Sequence, residues 1–196
     1  MKTTKPIYLA SNSKARKELL KLFGLKFRVI SSGAVEKIAP GRMSFESLVR
    51  HNARQKALLA AQKVKRGIVI GADTIVVQDG KVFGKPRNIL EARRMLKRLS
   101  RKPQVLYTGI AVVDVDAGKL VEAVEKTKVF MDPLTDEQID RYFARVSPLD
   151  KAGGFDIQGR GALFIRRIEG CFYNVVGLPL SSLYSALQNF QSRLNS

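Results

Sequence analysis

The sequence predicts a mixed α/β fold, a β-sheet flanked by helices, and three observations lead there. Short runs of β-branched residues alternate with segments whose apolar residues recur every three to four positions. Two turn signals, Gln78-Asp79-Gly80 and Asp116-Ala117-Gly118, fold the chain back as hairpins instead of crossing over through a helix. No internal repeat, coiled-coil heptad or low-complexity tract competes with that reading. Hairpins inside an alternating order fit a mixed sheet better than a purely parallel one.

Taken in order, IYLA at 7–10 reads as a short strand that empties into the polar SNS. ARKELLKLF then sets Leu19, Leu20, Leu22 and Phe23 at helical spacing, and Gly24 is placed to end that helix. KFRVI at 26–30 is a second strand, and the small residues and Pro40 of SSGAVEKIAPG mark a loop. From about Phe45 to Val64, the residues Leu48, Val49, Ala53, Ala57, Ala60 and Val64 form one narrow apolar helix face. IVIGADTIVV at 68–77 reads as a core strand, and VFGKP returns from the Asp-Gly turn. Asn88 followed three residues later by Glu91 fits a helix cap for 89–99. VLYTGIAVVDV and KLVEAVEKTKVFM form the longer hairpin, and Asp114 with Asp116 should put its end in solvent. Thr135 with Gln138 opens a helix through about Ala144. The glycine-rich segment 148–161 has no period, ALFIRRI is a strand candidate, and Leu180, Leu183, Tyr184 and Leu187 share a face of the last helix, near Pro179.

The composition bounds the function. No apolar run approaches the ~20 residues that span a bilayer, and the polar MKTTKPIYLASNSKARKELL does not resemble a secretory signal. A cytoplasmic protein with no membrane partner is expected. One cysteine, Cys171, excludes an internal disulfide, and one histidine, His51, leaves too few of the usual ligands for a structural zinc site. Cys171 is expected to be a small packing group and His51 to be solvated. The formal charge of +18 predicts attraction to polyanions, from nucleic acid to phosphate-rich small molecules. Because the basic residues are spread among acids and do not alternate with aromatics, nucleic acid is not expected as the primary partner.

Asp73 is the residue that asks for chemistry. A carboxylate between Ile68-Val69-Ile70 and Ile75-Val76-Val77 must be paired, metal-bound or at a bend reaching water. Gly71 and Ala72 beside it leave room for a ligand next to the backbone, although a simple turn with Asp73 capping its own backbone is equally consistent. The step SNSKAR offers an anion site: backbone N–H groups at a helix start, the hydroxyls of Ser11 and Ser13, and the charges of Lys14, Arg16 and Lys17. Helix capping by Ser13 accounts for the same residues. Lys85, in GKP and stiffened by Pro86, can meet a phosphate as a point charge. Glu36 lies in the loop and Gln158 in the glycine-rich segment, and either can be an ordinary surface residue.

LASNSKARKELL, GADTIVV, the GKP after the hairpin, the MLKRLS helix and DKAGGFDIQGRGALFIRRIEG together resemble the Maf family, nucleoside triphosphate pyrophosphatases named for inhibition of septum formation. The likeness runs over nearly the whole chain. It implies an elongated mixed sheet flanked by helices, with two lobes around a cleft, similar to the inosine triphosphate pyrophosphatases, and residues 1–196 as a single domain. It further implies a homodimer and cleavage of the α–β phosphoanhydride to nucleoside monophosphate and pyrophosphate. By that resemblance Ser11 and Arg16 contact phosphate, and Glu36 and Asp73 hold a divalent cation, Mg2+ or Mn2+. Asp73 is also the base for the attacking water, Lys85 binds phosphate, and Gln158 lies near the nucleobase. Thr74 and Gln158 are typical of the branch that looks like dTTP and UTP pyrophosphatases. Two positions depart from the pattern. The family's SPRR is Ser13-Lys14-Ala15-Arg16 here, so one guanidinium fork is missing. The family's lysine precedes an alanine, and the gap-free register puts Asn52 there, but Lys56 precedes Ala57 one turn later on nearly the same face. Lys56 is assigned the catalytic role. Two rival readings stay open: a pyrophosphatase for purine or methylated nucleotides, and a basic nucleic-acid-binding or regulatory protein whose site has decayed.

Overall fold

The computed structural model describes residues 5–190. Seven strands form one sheet in the order β2-β1-β3-β5-β6-β7, with β4 paired to β3: β1 (Ile7–Leu9), β2 (Arg28–Val29), β3 (Ile68–Gln78), β4 (Lys81–Phe83), β5 (Gln104–Asp114), β6 (Lys119–Met131) and β7 (Ile165–Glu169). β1 pairs in parallel with β2 and β3, whereas β3–β4 and β6–β7 are antiparallel. The sheet is therefore mixed, as the two hairpin turns require. Among the described residues six α-helices accompany it: α1 (Lys14–Leu22), α2 (Phe45–Ala61), α3 (Ile89–Leu99), α4 (Asp136–Phe143), α5 (Phe172–Val176) and α6 (Leu180–Gln188). The chain divides into two compact units, and β3, β5 and β6 each contribute residues to both.

The first unit holds the chain through Asp73, residues 108–125 and the segment from Gly177. Its core gathers Ala10, Ala53, Ala57, Ala60, Val69, Ala111 and Val113. The small residues are the point. A Cβ placed on Gly71 of β3 would sit 2.4 Å from the carbonyl oxygen of Ala53, and one on Gly109 of β5 would sit 2.3 Å from that of Val49. Glycine in two strands and alanine along one helix face let the α2 backbone lie directly on the sheet. The space beside Gly71 is thus filled by α2, which corrects the reading of Gly71 as room for a ligand. Ser44 caps α2 by accepting from the Ser47 N–H at 3.1 Å.

Asp114 is the second correction. It is 3% exposed, because Lys5 lies 2.8 Å from both of its carboxylate oxygens, while Asp116 accepts from the Gly67 N–H at 2.8 Å. Asp116 is held below the usual carboxylate range, first by that backbone bond.

The second unit holds residues 74–107 and 126–176. Its core packs Leu96 and Leu99 of α3 and Ile139 of α4 with Val76, Leu106, Val129, Phe155 and Phe164. Asn88 caps α3 through the Glu91 N–H at 2.8 Å. Thr135 and Gln138 close a capping box on α4. The expected strand over ALFIRRI begins later than the sequence suggests. Residues Gly159–Leu163 form a 3-10 turn, and only Ile165–Glu169 pair with β6, through an irregularity at Phe130/Met131. The short α5 was not anticipated; its Asn174 is fully buried and donates to Leu106 O and Thr127 Oγ1.

Candidate active site

In the first unit the chain builds one charged cluster around Lys56. This residue lies on the α2 face that meets the sheet, and its ammonium reaches β3. The Nζ donates to the Ala72 carbonyl at 3.2 Å and to Asp73 Oδ1 at 2.8 Å, and it lies 2.7 Å from Glu36 Oε1. Two of its three N–H groups are committed to hydrogen bonds, and its charge also pairs with Glu36. Asp73 is 4% exposed and sits inside an unbroken strand, so the turn reading fails and the pairing reading holds.

Asn52, one turn before Lys56, completes the shell. Its Nδ2 donates to Asp73 Oδ2 and to the Lys37 carbonyl, each at 2.9 Å, and its Oδ1 accepts the Lys37 N–H at 3.0 Å. In the turn just past the end of that helix, Lys63 Nζ donates to the Ser31 carbonyl at 2.7 Å. Asn52 and Lys56, at i and i+4, share that side of α2, and Lys63 follows just beyond its end. They hold a loop that has no regular secondary structure of its own between Ser31 and Pro40.

The strand-to-helix step supplies the other cation. Ser13 caps α1 by accepting from the Arg16 N–H at 3.4 Å, so the capping reading of this serine holds. Ser11 Oγ accepts from Arg16 Nη1 at 3.2 Å and from the Ser13 N–H at 3.3 Å, and Arg16 Nε donates to the Gly177 carbonyl at 2.8 Å. Burial draws the Arg16 guanidinium below its usual range, while the charges of Asp73 and Glu36 pull it back up. Ser11, Arg16, Glu36, Lys56 and Asp73 thus share one electrostatic neighbourhood.

Thr74, Lys85 and Gln158 belong to the second unit. Thr74 is half-buried, whereas Lys85 and Gln158 are exposed. Gly84, just before Lys85, accepts the Gly153 N–H at 3.0 Å, which ties the GKP turn to the glycine-rich segment. That segment is pinned again at Asp156, two residues before Gln158. Its N–H donates to the Tyr142 hydroxyl at 3.1 Å, and the hydroxyl lies 3.3 Å from Asp156 Oδ1. Burial pushes the Asp156 carboxyl up. The loop crosses itself tightly here, since a Cβ on Gly161 would meet the Asp156 carbonyl oxygen at 1.6 Å.

Sequence reasoning gave no role to Tyr142 or Asp156 and treated Asn52 only as a departure. A polar residue on the otherwise apolar Leu48-Val49-Ala53-Ala57 face was the available signal for Asn52. His51 is half-buried, as is Cys171, whose N–H donates to Thr127 Oγ1 at 3.0 Å.

A divalent cation can be tested against this donor set. Among the described residues no three His, Cys, Asp or Glu side chains gather as a cage. Two hard carboxylates meeting at one cationic point do suit a magnesium ion, which takes one or two carboxylates and draws its remaining ligands from water and phosphate. Each oxygen of Asp73 engages one donor and keeps a second lone pair. The residues present fit the group.

Carboxylates and cations clustered at a helix-to-sheet contact are the equipment of a metal-assisted, phosphate-handling hydrolase. The chain belongs to the Maf family: the family model for Maf-like protein matches residues 6–190. It is 45% identical over 184 residues to the dTTP/UTP pyrophosphatase of Carboxydothermus hydrogenoformans, covering 94% of this chain and 98% of that relative. It is 46% identical over 183 residues to the dTTP/UTP pyrophosphatase of Methanosarcina barkeri, covering 93% of this chain and 92% of the relative. The same description applies to the Dictyoglomus turgidum relative, 43% identical over 95% of this chain and 96% of the relative. Among solved structures, the nucleoside-triphosphatase / dITP/XTP pyrophosphatase of Mycobacterium abscessus aligns over 71% of this chain and 94% of its own, at 18% identity and TM-score 0.41. No helix among the described residues is long and apolar enough to cross a membrane.

Proposed function

We propose that this protein hydrolyses dTTP and UTP between the α and β phosphorus, releasing nucleoside monophosphate and pyrophosphate. The observation that carries the reading is the cluster in which Lys56 joins Asp73 to Glu36 beside Arg16, in a chain whose relatives are dTTP/UTP pyrophosphatases. Family membership implies a divalent cation. Glu36 and Asp73 would hold it, Mg2+ first and Mn2+ as a substitute, and when bound it would polarise the phosphoryl group.

The chain's own residues do the rest. A nucleoside triphosphate brings about four negative charges, and Arg16, Lys56 and Lys85 neutralise them. Lys56 is shared between two carboxylates, so a phosphate oxygen must compete with one of them for its charge. Glu36 is the partner to give up: its side chain is 53% exposed, against 6% for Asp73, so breaking that pair costs little while breaking the buried one costs much. Asp73 takes the proton of the attacking water on a free lone pair. Ser11 and Thr74 contact the substrate, and Gln158 reads the base. Ala15 leaves the base preference less tightly determined than an arginine fork would. The two units act as one domain, in a cytoplasmic homodimer with no membrane or nucleic-acid partner.

The test is incubation with each common nucleoside triphosphate and Mg2+, resolving pyrophosphate from orthophosphate. Monophosphate and pyrophosphate from dTTP and UTP are expected. Diphosphate and orthophosphate would place the cut at the wrong bond. Turnover confined to purine or methylated guanosine triphosphates would move the protein to another branch.

A further inference from the structure

We propose that Asn52 is a positioning residue that sets the separation of the two carboxylates, Glu36 and Asp73. The proposal rests on the functional reading above. Glu36 sits in a loop with no ladder of its own to hold it. Its ion pair with Lys56 is half-exposed and therefore a weak tether. What fixes the loop is the residue after it: Lys37 gives both its N–H and its C=O to the Asn52 amide, as it would to a neighbouring strand. The same amide nitrogen then donates to Asp73 Oδ2. One side chain, 3% exposed, thus joins the backbone next to one carboxylate to the other carboxylate.

Only asparagine satisfies this arrangement. Aspartate has no N–H for Lys37 O or Asp73, glutamine is one methylene too long for the packed α2 face, and leucine has no polar atom. A residue that merely filled the core at 52 would not need all three bonds. Because the amide holds the loop by its backbone and also bonds Asp73 directly, its effect has one route through Glu36 and one through Asp73, and removing the Glu36 carboxylate separates the two.

The experiment is a double-mutant cycle on Asn52→Leu and Glu36→Gln. Its readouts are the Mg2+ midpoint and kcat for dTTP hydrolysis, together with Mn2+ binding followed by electron paramagnetic resonance with a non-hydrolysable α,β-imido dTTP analogue. Asn52→Leu alone is expected to raise the Mg2+ midpoint and weaken Mn2+ binding by about tenfold, with kcat at saturating metal changed by less than about threefold. In the Glu36→Gln background the same substitution should cost at least about threefold less than in the wild type, the remainder coming from the lost bond to Asp73. An equal cost in both backgrounds, or an unchanged midpoint in the single variant, overturns the proposal. If Asn52→Leu fails to fold, Asn52→Ser, which leaves space for a water, carries the same cycle. Should the wild type turn over no dTTP or UTP, the functional reading fails, and the Mn2+ arm still decides the role of Asn52.

Discussion

Lys56 Nζ lies 2.8 Å from Asp73 Oδ1, and neither side chain is more than one-tenth exposed. The pair stands where α2 rests on β3, so each charge has been taken out of water on the strength of the other. Removing only the ammonium exposes that dependence. Lys56→Met should cost about 3–5 kcal/mol in urea unfolding, because Asp73 is left as a buried, uncompensated charge. Asp73→Leu added to Lys56→Met should recover much of the loss. A single variant as stable as the wild type would mean that water reaches Asp73 freely.

Asp73→Asn separates stability from chemistry. The amide keeps the shape of the carboxylate but has no proton-accepting charge and no grip on a cation. Hydrolysis of dTTP should fall by about 10²–10³-fold or more, while circular dichroism keeps its folded signature. Full activity would remove Asp73 from the catalytic role.

Gly71→Ala tests how the cluster is placed. The added Cβ would meet the Ala53 carbonyl oxygen at 2.4 Å, so α2 must shift, and Asn52 and Lys56 would shift with it. A cost of about 1–3 kcal/mol is expected, with a fall in kcat even for the fraction that stays folded. Stability lost with unchanged kcat would show that the cluster tolerates movement of its helix.

Much of this was legible in the sequence, and the misses share a cause. The apolar stripe of α2, the caps at Asn88 and Thr135, and the strand around Asp73 are local patterns, and they appear with nearly the expected bounds. Gly71 was misread because a missing side chain says that something comes close without saying what. Asp114 was misplaced because the lysine that lets it be buried lies 109 residues away. The loop around Glu36 looks unstructured because its restraints, Asn52 and Lys56 on α2 and Lys63 just past it, are distant in sequence. The 3-10 turn over 159–163 replaces the first part of an apparent strand because Gly161 must pass within contact of the Asp156 backbone.

Asp156 gives a prediction in pH. Burial raises its folded pKa above the unfolded value, and the nearby charge of Lys151 offsets this only in part. A raised pKa means that the folded state favours the protonated form. Its contribution to stability is full below about pH 4 and is lost as pH rises through the folded value. Asp156→Asn, which stays neutral at every pH, should therefore gain on the wild type between pH 4 and pH 8 in denaturant midpoint. Two midpoints that run parallel over that range would show that Asp156 is not strained by its surroundings.

Lys85 should behave in the opposite way to Lys56, since it is an exposed lysine after a hairpin. Its removal leaves no buried charge behind, so Lys85→Ala should change stability by no more than about 0.5 kcal/mol. Any loss must then appear in the handling of substrate. If the ammonium meets the triphosphate equally in ground and transition states, KM for dTTP rises and kcat holds; if it meets charge that develops on the leaving pyrophosphate, kcat falls as well. Pyrophosphate departs with charge built up on the bridging oxygen, so a fall in both kcat and kcat/KM is the expected result. Lys85→Arg should restore part of it, because the charge returns but the compact ammonium geometry does not. Kinetics of Lys85→Ala that match the wild type would take the GKP lysine out of the site.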